Sequence, residues 1–214
     1  MNNLTKRLQS IVQFVDSNDS LVDVGCDHGL LSVYLVQNNL VKKVIASDVN
    51  PNALSSAIKN IKESGLDIET VLSDGVESVN LNDINCLVIA GMGTGTIKHI
   101  LEDSSKLEKI NKIIIQSNND HYMLRSFMNS IGYYLDNEIY TEERNKWYVT
   151  SCFIKSKKKN NDLELKYGFL NNDDFNNYLI SSREDIINRI LTIPLEARKR
   201  YLDEIEEIKR AICK

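Results

Sequence analysis

Between Leu21 and Val36 the chain reads LVDVGCDHGLLSVYLV, an apolar strand pattern and an apolar helical pattern joined by a turn full of chemistry. The turn is Asp23-x-Gly25-x-Asp27-His28-Gly29. Nucleotide-binding turns at such a junction carry glycines, so that the backbone and the helix N-terminus can take up a pyrophosphate. Here the middle glycine is replaced by Asp27, whose carboxylate repels a diphosphate. It suits a ligand that brings its own cation, such as the ammonium or sulfonium of S-adenosylmethionine. The pattern therefore favours S-adenosylmethionine over NAD.

Further groups of the same kind recur at the ends of the following apolar runs. KVIAS ends at Asp48, about twenty residues past the turn, where a carboxylate accepts hydrogen bonds from ribose hydroxyls; Val49 and Asn50 follow it. IETVL ends at Ser73-Asp74-Gly75, and Asp74 is placed to accept from an adenine amino group. CLVIA ends in Ala90-Gly91-Met92-Gly93, a bare backbone that lets reacting atoms come close, and KIIIQ ends in Ser117-Asn118. The expected cofactor site is Asp23, Gly25, Asp27, His28, Gly29, Asp48, Val49, Asn50, Asp74, Gly75, Ala90 and Gly91.

These groups need a frame that brings strand ends together. Short continuous apolar strands alternating with helices predict a parallel α/β sheet covered on both faces. Ligands then bind beyond the carboxyl ends of the strands, where strand order reverses. Leu4–Val15 has helical spacing, and Asn50-Pro51 caps and opens another helix that Gly65 stops. Tyr133–Tyr140 and Trp147–Ile154, with a charged connection, predict an antiparallel hairpin at the sheet edge. KSKKKNN, from Lys155 to Asn161, reads as a polar linker. From Asp173 onward the chain is helical. Phe175, Leu179, Ile186 and Ile190 form one stripe, and Leu195, Leu202, Ile205, Ile208 and Ile212 a second, as in an antiparallel helical hairpin. The expected domains are 1–155, holding the cofactor, and 156–214, linker and hairpin.

The composition agrees. A chain of 214 residues with 42% apolar content buries a proper core. A net charge of -4 argues against wholesale capture of nucleic acid but permits a local basic face. The four cysteines, Cys26, Cys86, Cys152 and Cys213, contain no C-x-x-C pair, so zinc and a disulfide framework are not expected. Without an apolar leader or a membrane-spanning run, a cytoplasmic protein is expected.

DVGCDHGLL, IAGMG, IIQSN and EERNKWY together resemble the bacterial tRNA (adenine-22 N1)-methyltransferases. The pairing of Asp-His in the first motif with A-G-M-G in the fourth is specific, and the C-terminal helical hairpin fits that family's architecture. Four positions depart from its pattern: Gly29-Leu30 stand for Ala-Tyr, Thr94 for a second glycine, and Ser117 for the proline of Q-P-N. The resemblance implies a Rossmann-like class I methyltransferase with seven strands, the last hairpin antiparallel, followed by the helical hairpin. It implies methyl transfer to N1 of adenine 22, with tRNA as partner; a monomeric chain with neither metal nor membrane is expected. Asp27, Gly91, Met92 and Asn118 are the expected catalytic surface. Arg7, Arg125, Lys146, Tyr148, Arg198 and Lys199 are the expected RNA contacts, with Trp147 a second candidate for stacking on a base. The alternatives are a methyltransferase with a small-molecule or protein acceptor, and a non-catalytic RNA-binding protein of this fold.

Overall fold

The computed structural model describes residues 4–189 and 194–212; Ile190 and Cys213 of the sequence analysis lie outside them. The chain divides into two compact units, Met1–Asn160 and Asn161–Lys214.

The first unit is built on seven strands: β1 (Ser20–Val24), β2 (Lys43–Asp48), β3 (Glu69–Leu72), β4 (Cys86–Met92), β5 (Lys112–Ser117), β6 (Tyr133–Glu143) and β7 (Lys146–Lys155). Its helices are α1 (Lys6–Val12), α2 (Leu30–Gln37), α3 (Pro51–Glu63), α4 (Thr94–Leu101) and α5 (His121–Ser130). The strand order is β3-β2-β1-β4-β5-β7-β6. Strands β1 to β5 pair in parallel, and β7 pairs antiparallel with both β5 and β6. The order reverses at β1, flanked by β2 and β4, so the ligand crevice lies beyond the ends of β1 and β4. Alternate residues of β4 serve opposite faces. Cys86 and Val88 join the core that contains Ile11 of α1, Leu31 and Leu35 of α2, and Leu54, Ala57 and Ile61 of α3. Leu87 and Ile89 are buried as well, but outside that core.

Two local features differ from expectation. The fourth strand does not stop at Ala90 but runs to Met92 through Gly91, where the register against β5 shifts. Gly91 has a φ of 77°, which glycine adopts without penalty, and the bulge re-aims the strand end. The charged connection of the hairpin shrinks to two residues, Arg144 and Asn145, with φ of 53° and 60°. Two successive positive φ values make the turn whose twist suits a tight hairpin.

Arg125, expected on an RNA-binding surface, is buried instead. It is 2% exposed and Glu138 is fully covered. Its Nε and Nη2 donate to the two oxygens of Glu138 at 2.9 and 3.0 Å, and Tyr140 and Ser151 hydroxyls donate to the same carboxylate. The fork of a guanidinium matches a carboxylate bidentately, and this pair rivets α5 to the edge hairpin. Arg125→Met leaves Glu138 charged and buried without its cation, and is expected to cost about 3–5 kcal/mol. Urea denaturation measures it, and a midpoint equal to wild type would contradict the assignment.

The stretch read as a linker is partly built into this unit. Asn160 is buried; its amide bonds Asn129 and the backbone of Leu135.

The second unit opens with a helix absent from the sequence reading, α6 (Asp162–Tyr167). Its capping box, Asn161 with Glu164, is an Asn-x-x-Glu signal present in the sequence. It continues with α7 (Asp173–Arg189) and α8 (Leu195–Ile212). Phe175, Ile205 and Ile208 are buried as expected, whereas Leu202 and Ile212 are exposed. Glu204 takes a half-buried place beside Ile205 and accepts from Arg183 Nε on α7 at 2.7 Å, so the seam includes Glu204 and leaves Leu202 outside it. Tyr167 donates to Glu207 at 2.8 Å, tying α6 to α8.

Candidate active site

The ends of β1 to β5 surround one cleft of about 750 Å³. Its first wall is the turn after β1. Gly25 and Cys26 N–H groups donate to the Ser47 carbonyl at 2.8 and 2.9 Å, which docks the turn on β2. Asp27 follows in the left-handed conformation, φ 52°, with its carboxylate exposed. Its own N–H donates to Asp48 Oδ2 at 3.0 Å, and the Asn50 N–H donates to Asp48 Oδ1 at 2.8 Å. Asp48 is therefore held from both sides while each of its oxygens keeps a lone pair for a ligand. Asp23 lies beneath the turn, accepting from the Ser32 hydroxyl at 2.7 Å, and burial pushes its carboxyl up to about 6. The Cys26 thiol is pushed up to about 12 by burial and by the Asp23 and Asp48 charges, which makes it a poor nucleophile.

The opposite wall is the bulged end of β4. Asn118 Nδ2 donates to the Gly91 carbonyl at 2.6 Å, and the Asn118 N–H to the Met92 carbonyl at 2.9 Å. The loop after β5 thereby fixes the shape of the fourth strand end. Met92 reaches across to Gly25: a Cβ built on Gly25 would lie 2.2 Å from the Met92 Cε. The φ of 71° favours glycine there, and a Cβ would also have to displace the flexible end of Met92. Gly25→Ala is expected to cost about 1–2 kcal/mol in backbone strain. It also drives the soft Met92 side chain into the cleft, so cofactor affinity in calorimetry should drop by more than the stability loss explains. Adding Met92→Ala should recover part of it. Wild-type affinity in Gly25→Ala would contradict this picture.

The third wall comes from α1 and the edge hairpin. Arg7 lies 5.7 Å from the Tyr148 ring centroid, and Lys146 Nζ 5.1 Å from it. Arg7 Nη1 donates to Gln116 Oε1 at 3.2 Å.

The cleft gathers most of the residues singled out by the sequence: Asp23, Gly25, Asp27, His28, Asp48, Val49, Asp74, Gly75, Ala90, Gly91, Met92 and Asn118, with Arg7, Lys146 and Tyr148 on the rim. Others stand outside it. Gly29 packs on α3, where its Cβ would meet Ala57 at 3.0 Å. Asn50 stands behind Asp48 and caps α3 through the Asn52 N–H. Trp147 is not in the wall. Arg198 and Lys199 belong to the second unit, half-buried and exposed respectively. Sequence reasoning missed Cys26, Ser73, Thr96, Ile100, Glu143 and Arg144. Only Arg144 left a usable signal, as a cation at a hairpin tip.

The residues fit a nucleoside that carries a cation: a carboxylate at the end of β2, a second carboxylate at Asp74, and a glycine cradle between β1 and β4. A model of the methyltransferase domain matches residues 4–150. The chain belongs to the methyltransferase-domain family. The chain is 32% identical, over 148 residues, to the tRNA (adenine(22)-N(1))-methyltransferase of Bacillus subtilis strain 168. The match takes in 68% of this chain and 62% of that one. A crystal structure of Streptococcus pneumoniae Sp1610, a putative tRNA (m1A22) methyltransferase, superposes with a TM-score of 0.89 at 29% identity, covering 98% of this chain and 100% of that chain. TrmK of M. capricolum, solved with S-adenosyl-homocysteine, gives 0.84 at 31% identity, covering 98% and 97%. The resemblance read from the sequence is borne out. Among the described residues, no helix is long and apolar enough to cross a membrane.

Proposed function

We propose that this protein transfers the methyl group of S-adenosylmethionine to N1 of adenine 22 in tRNA. The observation that carries the reading is the juxtaposition, in one cleft, of the Asp27–Asp48 turn with the bulged Gly91–Met92 strand end fixed by Asn118. Asp48 holds the ribose and Asp74 the adenine amino group of the cofactor, and Asp27 faces its cationic part. The cofactor supplies an electrophilic methyl group on a sulfonium. Adenine N1 is neutral and keeps its lone pair at pH 7, so no side chain has to remove a proton before attack. The chain's task is to hold that nitrogen in place. N1 lies on the Watson–Crick edge, so the target base is unpaired or turned out of its stack. The methylated ring is cationic. The Asp27 carboxylate and the Ala90-Gly91-Met92 backbone provide the negative potential that favours it. Asn118 spends one of its two side-chain amide hydrogens on the Gly91 carbonyl, which makes it a shaper of this surface as much as a contact.

The first unit carries the chemistry, and the rim cations Arg7, Lys146 and Arg144, with Tyr148, receive the RNA. The second unit, through Lys199 and its neighbours, adds phosphate contacts; Arg200 there is partly neutralised by Glu204 at 3.2 Å. The protein acts as a monomer in the cytoplasm, a setting supported by Cys26, Cys86 and Cys152 being buried free thiols. Incubation with unmodified tRNA transcript, followed by nucleoside mass spectrometry, tests the proposal: 1-methyladenosine should appear. Methylation of a protein or small molecule, with none in tRNA, would overturn it.

A further inference from the structure

Gln116 is 1% exposed and lies at the end of β5, behind the cleft wall. Its amide is committed on both sides. Oε1 accepts from Arg7 Nη1 at 3.2 Å, and Nε2 donates to the Arg7 carbonyl at 3.1 Å and to Thr150 Oγ1 at 2.7 Å. Thr150 in turn shares a 2.6 Å hydrogen bond with Ser10 of α1. The Arg7 N–H donates to Glu143 Oε2 at 3.0 Å. One arginine is thus held by its N–H, its carbonyl and its side chain. The holding puts Nη1 at 3.4 Å from where a Cβ on Gly91 would be, and the guanidinium near the Tyr148 ring.

A guanidinium carries five donors, and the structure uses one of them, at Nη1; Nε and Nη2 have no protein partner among the described residues. A bare cation so close to Gly91 opposes a reaction that leaves positive charge on the acceptor ring. An anion on its open edge removes that opposition, and guanidinium matches phosphate bidentately. We propose that Arg7 binds an RNA backbone phosphate next to the target nucleotide, and that Gln116 is the positioning residue that aims it. This inference rests on the proposed RNA substrate.

The test uses the full-length protein and unmodified tRNA transcript carrying adenine 22, with binding measured between about 50 and 200 mM salt. Arg7→Ala should lower the slope of log affinity against log salt by about one. It should also raise the KM for tRNA on the order of tenfold, with S-adenosylmethionine affinity unchanged. Gln116→Met should reproduce the reduced slope, and the double variant should be no worse than Arg7→Ala, since the two act as one unit. A wild-type slope in either single variant overturns the inference, as does a Gln116→Met effect that appears only as lower Tm and weaker cofactor binding. If Gln116→Met does not fold, Arg7→Ala decides alone. Wild-type protein that leaves the transcript unmethylated refutes the functional reading instead, so the two failures are distinguishable.

Discussion

Replacing Asp48 with alanine is expected to weaken S-adenosylmethionine binding by two orders of magnitude or more and to abolish measurable turnover. Asp48 is buried, and its two oxygens hold the backbone of Asp27 on one side and of Asn50 on the other. The substitution removes the proposed ribose acceptor and releases the turn that carries Asp27. Hydrogen bonds to a charged group contribute about 1.5–3 kcal/mol each, and two of them correspond to roughly a hundredfold or more in affinity. Asp48→Asn keeps one acceptor oxygen and should fall between alanine and wild type. Calorimetric titration reads both, and wild-type affinity in Asp48→Ala would remove Asp48 from the cofactor site.

Asp27→Asn should cut turnover on the order of a hundredfold while leaving the melting temperature nearly unchanged. The backbone at Asp27 is left-handed, φ 52°, a conformation that asparagine tolerates as well as aspartate. The N–H that bonds Asp48 is retained. The substitution therefore removes charge and little else. If the carboxylate faces the cationic part of the cofactor and the ring that becomes cationic, the loss belongs to the transition state, with a magnitude typical of one electrostatic group. Full turnover in Asp27→Asn would reduce Asp27 to a turn residue. Asp27→Ala would show the same kinetic loss with an added backbone cost of about 1 kcal/mol.

The strand ends were legible because each is a short apolar run that stops at a polar residue, as in KVIAS before Asp48. What sequence could not give were the facts that depend on partners far along the chain. Arg125 follows Leu124 in a helix and reads as a surface cation. Only the fold brings Glu138, on another strand, to both of its nitrogens. Gly91 reads as a turn after Ala90, whereas pairing with β5 carries β4 through it to Met92. Leu202 reads as a core position, yet the ion pair of Glu204 with Arg183 claims the seam beside it. Arg144 read only as part of a charged connection between two strands. It is the hairpin tip that hangs at the cleft, in a left-handed conformation uncommon for arginine.

The most direct measurement is methyl transfer from labelled S-adenosylmethionine to two unmodified tRNA transcripts that differ only at position 22. The account predicts label in the adenine-22 transcript, recovered as 1-methyladenosine, and none above background when that adenine is guanine. Equal labelling of the two transcripts, or none in either, would contradict it.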